Sequence, residues 1–146
     1  LVSYEQYLET ITSLTGANKD EAHAEITATH SPNEPVFSLV KRLKSNGYKL
    51  GVISNVGDEL NTFLPQSYVD LFDVITLSYH VHSTKPAPEI YEHHLRDLHL
   101  QPEQTIFIDD RNVNVSGAEA VGMKGIYYQN YDNLSDTLQK MGVNTK

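Results

Sequence analysis

The chain has 146 residues, a formal net charge of −8 at pH 7 and a pI near 5.2. Its length supports about one domain, and its acidic balance disfavours nonspecific nucleic-acid binding, which needs a basic surface. No apolar run is long enough to span a membrane, no signal peptide is visible, and there are no cysteines for disulfides or thiol catalysis. We therefore expect a cytoplasmic protein that binds neither nucleic acid nor a membrane.

The N-terminal region is predicted to be helical. Apolar residues recur at helical spacing over 3–14, where Ser3 and Gln6 can form a capping box. A second helix is predicted over 18–29, and a Pro-containing break follows at 31–35.

From residue 34 onward, predicted helices and strands alternate. The predicted strands cover 49–53, 71–77, 105–108 and 125–128. The predicted helices cover 34–46, 57–64, 86–98, a segment from Val113 that Gly122 closes, and 132–141. This alternation predicts an α/β fold with a parallel, Rossmann-like sheet covered by helices on both faces.

Two adjacent carboxylates, Asp109 and Asp110, follow the third predicted strand. In a parallel α/β sheet, ligands bind beyond the carboxyl ends of the strands. Paired acids at such a point favour a hard cation such as Mg2+, which often bridges to substrate phosphate. The same two residues could instead cap a helix and face solvent, and the pair by itself leaves both interpretations open.

Further polar residues occur at related positions along the chain. Ser54 and Asn55 end the first predicted strand, and Lys85 stands in the turn STKPAP before the next helix. Taken alone, Ser54 is typical of a helix N-cap and Lys85 of a solvated surface charge. The functional interpretation rests on their order along the chain together with the acid pair.

This series, with the phrases KPAPEIY and FIDDRNVNVSGAEAVGM, resembles the haloacid dehalogenase (HAD) superfamily of hydrolases. It is closest to the small phosphatases and to the N-terminal phosphatase domain of bifunctional epoxide hydrolases. The resemblance covers roughly residues 34–128. It implies a HAD-like α/β core over 34–146 and a partial helical cap over 1–33.

The resemblance implies substrate contacts for three residues. Ser54 would donate a hydrogen bond to a phosphate oxygen, and Asn55 would offer its amide. Lys85 would neutralise the phosphate and steady a carboxylate nucleophile, so that it is a catalytic as well as a substrate-binding residue.

The resemblance also implies a magnesium site. Asp110 would ligate Mg2+ directly, and Asp109 would act directly or through water, as a catalytic and metal-binding residue. Asn114 would support them by orienting the loop or a water molecule on the metal.

The family's first sequence block is absent from this chain. In the resembled enzymes an Asp-x-Asp on a central strand, between the strands ending at Ser54 and Asp109, supplies the nucleophile and the general acid. This sequence contains no Asp-x-Asp and begins with Leu1. A second departure is His82, which stands where the family usually has Gly and is expected to reshape the Lys85 loop. Because unpaired strand edges are costly, we expect one of three arrangements: a longer natural protein, which we favour; a strand from another segment or chain, as in a homo-oligomer or with a complementing N-terminal segment; or direct pairing of the two flanking strands.

The leading hypothesis is a Mg2+-dependent phosphatase that acts on a small phosphorylated metabolite through an aspartyl-phosphate. The nucleophile would lie outside this chain, so the 146-residue chain is expected to be inactive. One alternative is a catalytically dead, phosphate-binding or regulatory protein of the same family. Another is a haloacid dehalogenase, which needs no metal and against which the acid pair argues.

Overall fold

The computed structural model describes residues 4–29, 32–56 and 65–146, and it alternates helices with parallel strands. The helices are α1 Tyr4–Thr15, α2 Lys19–Thr29, α3 Glu34–Ser45, α4 Gln66–Val69, α5 Ser78–Val81, α6 Pro88–Leu98, α7 Asn112–Ala120 and α8 Tyr131–Lys140. The strands are β1 Gly51–Ser54, β2 Val74–Leu77, β3 Ile106–Asp109 and β4 Lys124–Tyr127, and a 3-10 turn covers Pro102–Gln104. The predicted α/β class is confirmed.

Most predicted elements agree with the observed ones to within three residues at each end. The short helices α4 and α5 were not predicted, because four residues are too few to show a helical period. The predicted helix over 57–64 and the Ser3 half of the predicted capping box lie outside the described residues.

The described strands form two separate parallel pairs. β1 pairs with β2, so that Ser54 lies opposite Leu77, and β3 pairs with β4, so that Asp109 lies opposite Tyr127. Within the described ranges, β1 and β3 make no ladder with each other. Direct pairing of these flanking strands, one of the three arrangements considered above, is therefore wrong for this structure, and each strand keeps an unpaired edge in the part described.

Helix α6 is the element that joins the two strand pairs. Its Ile90, Tyr91 and Leu95 form one apolar cluster with Ile53 of β1 and Phe107 of β3. Ile90 and Tyr91 are fully buried. The shared helix thereby holds the C-terminal ends of β1 and β3 on the same side of the molecule, which is where the polar residues lie.

A second apolar cluster packs around Ile126 of β4. It joins Leu39 of α3 and Ile126 of β4 to Leu134 and Leu138 of α8. All four side chains are buried, and the inward orientation of the three leucines agrees with the helical spacing of apolar residues in α3 and α8.

Two apolar residues of predicted elements are exposed. Ile108 is 38% exposed although the apolar run at 105–108 predicts a buried strand; it lies on the opposite side of β3 from Phe107, where Ile106 packs against the second apolar cluster and Ile108 does not. Val113 is 50% exposed. Since α7 begins at Asn112 and buries Val115 and Ala118 at i, i+3 spacing, Val113 falls on the opposite face of the helix.

The α1–α2 hairpin is secured by local contacts. α1 packs on α2, and Lys19 Nζ lies 2.7 Å from Glu5 Oε2 and 3.4 Å from Glu9 Oε1. These ion pairs are exposed and contribute little to stability. The division into a partial cap over 1–33 and a core over 34–146 stays a prediction.

His82 adopts the left-handed backbone conformation that glycine favours. Its φ is 51°, and it ends helix α5 three residues before Lys85. A non-glycine residue accepts this conformation at a cost of about 1–2 kcal/mol. The expected reshaping of the Lys85 loop does not separate Lys85 from Asp109, which remain in contact.

No helix in the described part of the chain is long and apolar enough to cross a bilayer.

His94 is a buried imidazole beneath β1 and β2. Only 4% of the residue is exposed, and its Nδ1 lies 2.8 Å from the Thr76 hydroxyl. A Cβ at Gly51 would overlap the His94 ring, so β1 needs glycine at this point. Burial lowers the pKa of His94 from 6.5 to about 4, and the ring is therefore neutral near pH 7.

This burial predicts a loss of stability in mild acid. An unfolded chain protonates His94 near pH 6.5, whereas the folded chain does so only near pH 4. The free energy of unfolding should therefore fall by up to about 3 kcal/mol as the pH is lowered from 6.5 to 4. Denaturant unfolding at a series of pH values measures this slope. We expect a flatter profile in His94→Gln and an unchanged one in the exposed control His80→Gln; equal slopes in both variants would contradict the assignment.

Candidate functional site

The polar residues predicted from the sequence meet at the carboxyl ends of β1 and β3. Ser54 is the last residue of β1, and Asp109 is the last residue of β3. Lys85 reaches the same place from the loop between α5 and α6. Hydrogen bonds or ion pairs connect Asn55, Lys85, Asp109 and Asn114 in one network.

The centre of this network is an ion pair between Lys85 and Asp109. Lys85 Nζ lies 2.7 Å from Asp109 Oδ2, and the two side chains are 12% and 8% exposed. The ammonium also lies 5.6 Å from the centroid of the Phe107 ring, within the range of a cation–π contact. Both charges are largely removed from water, so each depends on the other for compensation.

Asp109 is further held by two donors on its second oxygen. The Arg111 backbone N–H and the Asn114 Nδ2 each donate to Asp109 Oδ1 over 2.9 Å. Burial alone would raise the pKa of the Asp109 carboxyl, but the hydrogen bonds from Lys85, Asn114 and Arg111 outweigh it and hold the pKa below its usual value. Asp109 is therefore an ionised, anchored carboxylate at neutral pH.

Asp110 and Ser54 differ from Asp109 in having no partner in the described part of the chain. The Asp110 side chain is exposed and makes no ion pair or hydrogen bond there. The Ser54 hydroxyl also makes no hydrogen bond with the described residues. The ends of β1 and β3 thus carry one free hydroxyl and one free carboxylate in addition to the Lys85–Asp109 pair.

Asn114 carries a buried oxygen without a hydrogen bond to any described group. The residue is 3% exposed, and its Nδ2 is used by Asp109 while its Oδ1 has no partner. Turning the amide over would set its oxygen against a carboxylate oxygen, so this orientation is the favourable one. An orphaned acceptor of this kind is costly unless a donor or a cation meets it.

These oxygens fit part of the coordination shell of Mg2+. The ion takes oxygen ligands and commonly keeps several waters, with one or two carboxylates from the protein. The free, exposed carboxylate of Asp110 is a ligand of that class, whereas the Asn114 oxygen is buried and its amide acts through Asp109 as a supporting group. Within the described ranges there is no group of three His, Cys, Asp or Glu residues that could hold a metal alone, so further ligands would come from water, substrate or another segment.

Asn55 contacts the backbone of Lys85 through both ends of its amide. Asn55 Nδ2 donates to the Lys85 carbonyl over 3.0 Å, and Asn55 Oδ1 accepts from the Lys85 N–H over 2.8 Å. The side-chain amide of Asn55 is therefore bonded to the Lys85 backbone, and the backbone N–H of Asn55 is the other amide group that it could offer a substrate. Its substrate role stays a prediction.

The linear sequence did not single out Tyr91 as part of this network. Its hydroxyl donates to the Asn114 carbonyl over 2.8 Å, and its ring packs edge-on against Phe107 with centroids 5.2 Å apart. Burial, and to a smaller extent the charge of Asp109, raises the pKa of Tyr91 to about 12, so the hydroxyl remains a donor. The i, i+4 spacing of Tyr91 and Leu95 places Tyr91 on the inward stripe of α6, a signal that the sequence does contain.

Gly117 lets α7 approach the Lys85 loop closely. A Cβ at this position would lie 2.6 Å from the Pro86 carbonyl oxygen and 2.8 Å from the Pro86 Cβ. The contact brings the helix that carries Asn114 against the turn that carries Lys85. No spacing rule in the sequence reveals this contact, because the two residues are distant along the chain.

Comparison with known proteins places these features in a family. The family model of the haloacid dehalogenase-like hydrolases matches residues 3–128. The chain is 32% identical over 116 residues to a sesquiterpene phosphatase of Aspergillus oryzae, covering 78% of this chain and 59% of that protein. It is 30% identical over 118 residues to a pyrophosphatase of Bacillus cereus, covering 80% of this chain and 53% of that protein. The chain thus spans just over half the length of these two relatives.

Solved structures show the same fold. A HAD family enzyme of Bacteroides thetaiotaomicron, solved in complex with magnesium and inorganic phosphate, superposes with a TM-score of 0.71 at 22% identity. The likeness covers 91% of this chain and 74% of that one. At this level of identity, the similarity supports the architecture and is no measure of shared chemistry.

The buried ion pair generates a first prediction for the site. In Lys85→Met, Asp109 stays buried but loses its strongest hydrogen-bond donor, so its pKa should rise. The free energy of unfolding should fall by about 1.5–3 kcal/mol at pH 7, because a buried carboxylate is left without its partner. Because the native pKa lies below 3.8, the ionised Asp109 stabilises the wild type above that pH, and this contribution is lost as the pH falls through the native pKa; in the variant the contribution should already be smaller at pH 7. Carbon-13 NMR titration of the carboxyl carbon measures the midpoint.

Lys44→Met is the matched control for this experiment. It breaks another lysine–aspartate pair, Lys44–Asp73 at 2.6 Å, in which the side chains are 36% and 38% exposed. Solvent weakens such a pair, so the control should lose under about 1 kcal/mol and leave Asp109 unchanged. An Asp109 midpoint that moves no more in Lys85→Met than in the control would contradict the ion pair.

The close packing at Gly117 generates a second prediction. Gly117→Ala should destabilise the protein by about 1–3 kcal/mol through overpacking against Pro86. The expected sign is opposite to that of helix propensity, which favours alanine by roughly 1 kcal/mol. Denaturant unfolding measures the change, with the exposed neighbour Ser116→Ala as control. A stabilised Gly117→Ala would show that the two segments do not touch.

Proposed function

This chain belongs to the haloacid dehalogenase-like hydrolases, and on that premise we propose that it forms the phosphate- and metal-binding part of a Mg2+-dependent phosphatase. The substrate is a small phosphorylated metabolite, and the phosphoryl group passes through an aspartyl-phosphate. The phosphatase relatives support the reaction class, and the structural neighbour was solved with magnesium and phosphate. The whole protein's substrate and activity are part of this proposal.

One observation carries the proposal. The chain runs directly from Asp109, which is held in a buried ion pair with Lys85, to Asp110, a carboxylate that is exposed and has no partner in the described part of the chain. A fixed ammonium next to a free carboxylate is the arrangement needed to hold a phosphate together with a divalent cation. A metal-free dehalogenation reaction has no use for the second carboxylate.

Each residue has a task in phosphoryl transfer, which depends mainly on positioning and charge stabilisation. Lys85 neutralises one phosphate oxygen while Asp109 holds its ammonium in place. Ser54 donates its free hydroxyl to another oxygen. Asp110 is the direct ligand for Mg2+, with Asp109 and Asn114 supporting it, and the bound ion would neutralise charge that develops on the phosphoryl oxygens.

The nucleophile is proposed to come from outside this chain. A carboxylate oxygen attacks phosphorus, the bond to the leaving oxygen breaks, and a second carboxyl group gives that oxygen a proton. Water then cleaves the aspartyl-phosphate and releases inorganic phosphate. Within this chain, the unpaired edges of β1 and β3 in the described part are the place where a strand carrying these groups would fit.

A phosphatase assay of the 146-residue chain tests whether catalysis needs a nucleophile from outside this chain. With p-nitrophenyl phosphate and Mg2+, we expect no turnover above background, because the nucleophile is missing. Turnover that survives purification and disappears in Asp110→Ala would overturn this expectation.

The gene product read upstream of Leu1 provides the complementary test. We expect phosphatase activity that EDTA abolishes and that Asp110→Asn lowers by about a hundredfold or more. EDTA-resistant release of halide from a 2-haloacid would indicate a dehalogenase instead. Binding of phosphate without turnover would favour the catalytically dead member of the family.

A further inference from the structure

The amide of Asn55 makes a two-point contact with a single residue, Lys85. One end of the amide donates to the Lys85 carbonyl over 3.0 Å, and the other end accepts from the Lys85 N–H over 2.8 Å. Asparagine is suited to this contact because it carries a donor and an acceptor side by side. Aspartate lacks the donor, serine is too short, and glutamine is one methylene longer.

The backbone that carries Asn55 is held on both sides. Ser54 before it belongs to the β1–β2 ladder, opposite Leu77. The Val56 carbonyl after it accepts from the Ser78 hydroxyl over 3.1 Å, and Ser78 is 1% exposed. The side chain of Asn55 therefore leaves from a fixed point at the end of β1.

Lys85 stands in a loop that has little support of its own. The Ala87 N–H donates to the Thr84 carbonyl over 2.8 Å, which closes a local turn around Lys85. Proline after Lys85 favours an extended backbone there but supplies no hydrogen bond. The amide of Asn55 uses both backbone groups of Lys85 and so ties this loop to the first strand pair.

The contact completes a chain of polar links between the two strand pairs. Asn55 joins the end of β1 to the Lys85 backbone, and the Lys85 ammonium joins Asp109 at the end of β3. Since β1 and β3 make no ladder in the described part, these links and the apolar cluster of α6 set the geometry at this edge.

We infer that Asn55 is a positioning residue, whose side chain fixes the Lys85 backbone and thereby places the Lys85 ammonium against Asp109. The inference rests on the proposed function only in taking Lys85 as a phosphate contact. It assigns the Asn55 side chain to the protein and leaves any substrate contact to its backbone N–H. Catalytic side chains need such support, because a small displacement of a charged group strongly lowers the reaction rate.

NMR of the 146-residue chain tests the inference without catalytic activity. In Asn55→Ala, the Lys85 amide loses its acceptor, so its hydrogen exchange should accelerate at least about tenfold. The Lys85 Hε protons should also lose their ring-current shift from Phe107, because the ammonium is no longer held 5.6 Å from the centroid of that ring. If both the Lys85 amide exchange rate and the Lys85 Hε shift stay at wild-type values, the inference is wrong.

Two further variants separate positioning from general stability. Asn130→Ala removes an amide of the same type that caps α8; it should lower the unfolding free energy by about 1 kcal/mol and change neither readout. Asn55→Asp keeps the acceptor and loses the donor, so Lys85 amide exchange should stay slow while the Lys85 carbonyl carbon shifts. If Asn130→Ala reproduced the Asn55→Ala changes, they would reflect stability alone and the inference would fail.

Titration with inorganic phosphate in the presence of Mg2+ keeps the two proposals distinguishable. If Asn55→Ala releases Lys85 but the wild type shows no phosphate-dependent shift at Ser54 or Lys85, the positioning role stands and the phosphate role falls. If phosphate shifts Ser54 and Lys85 equally in the wild type and in Asn55→Ala, the proposed function gains support and the positioning role is overturned.

Discussion

The candidate site depends on one buried ion pair. Lys85 and Asp109 are each about nine-tenths removed from water, so neither charge is tolerable without the other. Their contact also links the two strand pairs, since Lys85 is tied to the end of β1 and Asp109 ends β3. The pair therefore organises chemistry and architecture together, and the surrounding contacts can be understood as means of holding it.

Those contacts come from three directions. Arg111 and Asn114 saturate the second oxygen of Asp109, which keeps this carboxylate ionised in spite of burial. Tyr91 anchors the first turn of α7 from beneath, and the close approach of Gly117 to Pro86 brings that helix to the lysine loop. Asp110, next in the chain to the most constrained carboxylate, is left free. This contrast between neighbours is what separates an anchoring acid from one available to a cation.

The two strand pairs are the unusual feature of the fold. A central position between β1 and β3 is bridged from one face by α6 and at the carboxyl end by the polar network. Strand edges that remain unpaired carry unsatisfied backbone groups, and the 38% exposure of Ile108 on β3 reflects an apolar side chain with incomplete cover in the described part. The proposal of an additional strand that carries the nucleophile addresses both observations with one element.

The sequence by itself determined the class of the fold, the order of its main elements and the identity of the residues that meet at the site. Hydrophobic period specified the inward faces of α6 and α8, and strand-end position singled out Ser54, Asp109 and Asp110. The short helices and the exposure of Ile108 and Val113 could not be predicted, because four residues show no helical period and exposure depends on what covers a face. Only the tertiary structure decided that Asn55 binds the Lys85 backbone, that Tyr91 supports Asn114 and that Gly117 admits Pro86. These contacts join residues that lie 23–31 positions apart in the chain. A pattern of residue types along the sequence shows neither that such residues are close in space nor how their side chains are oriented.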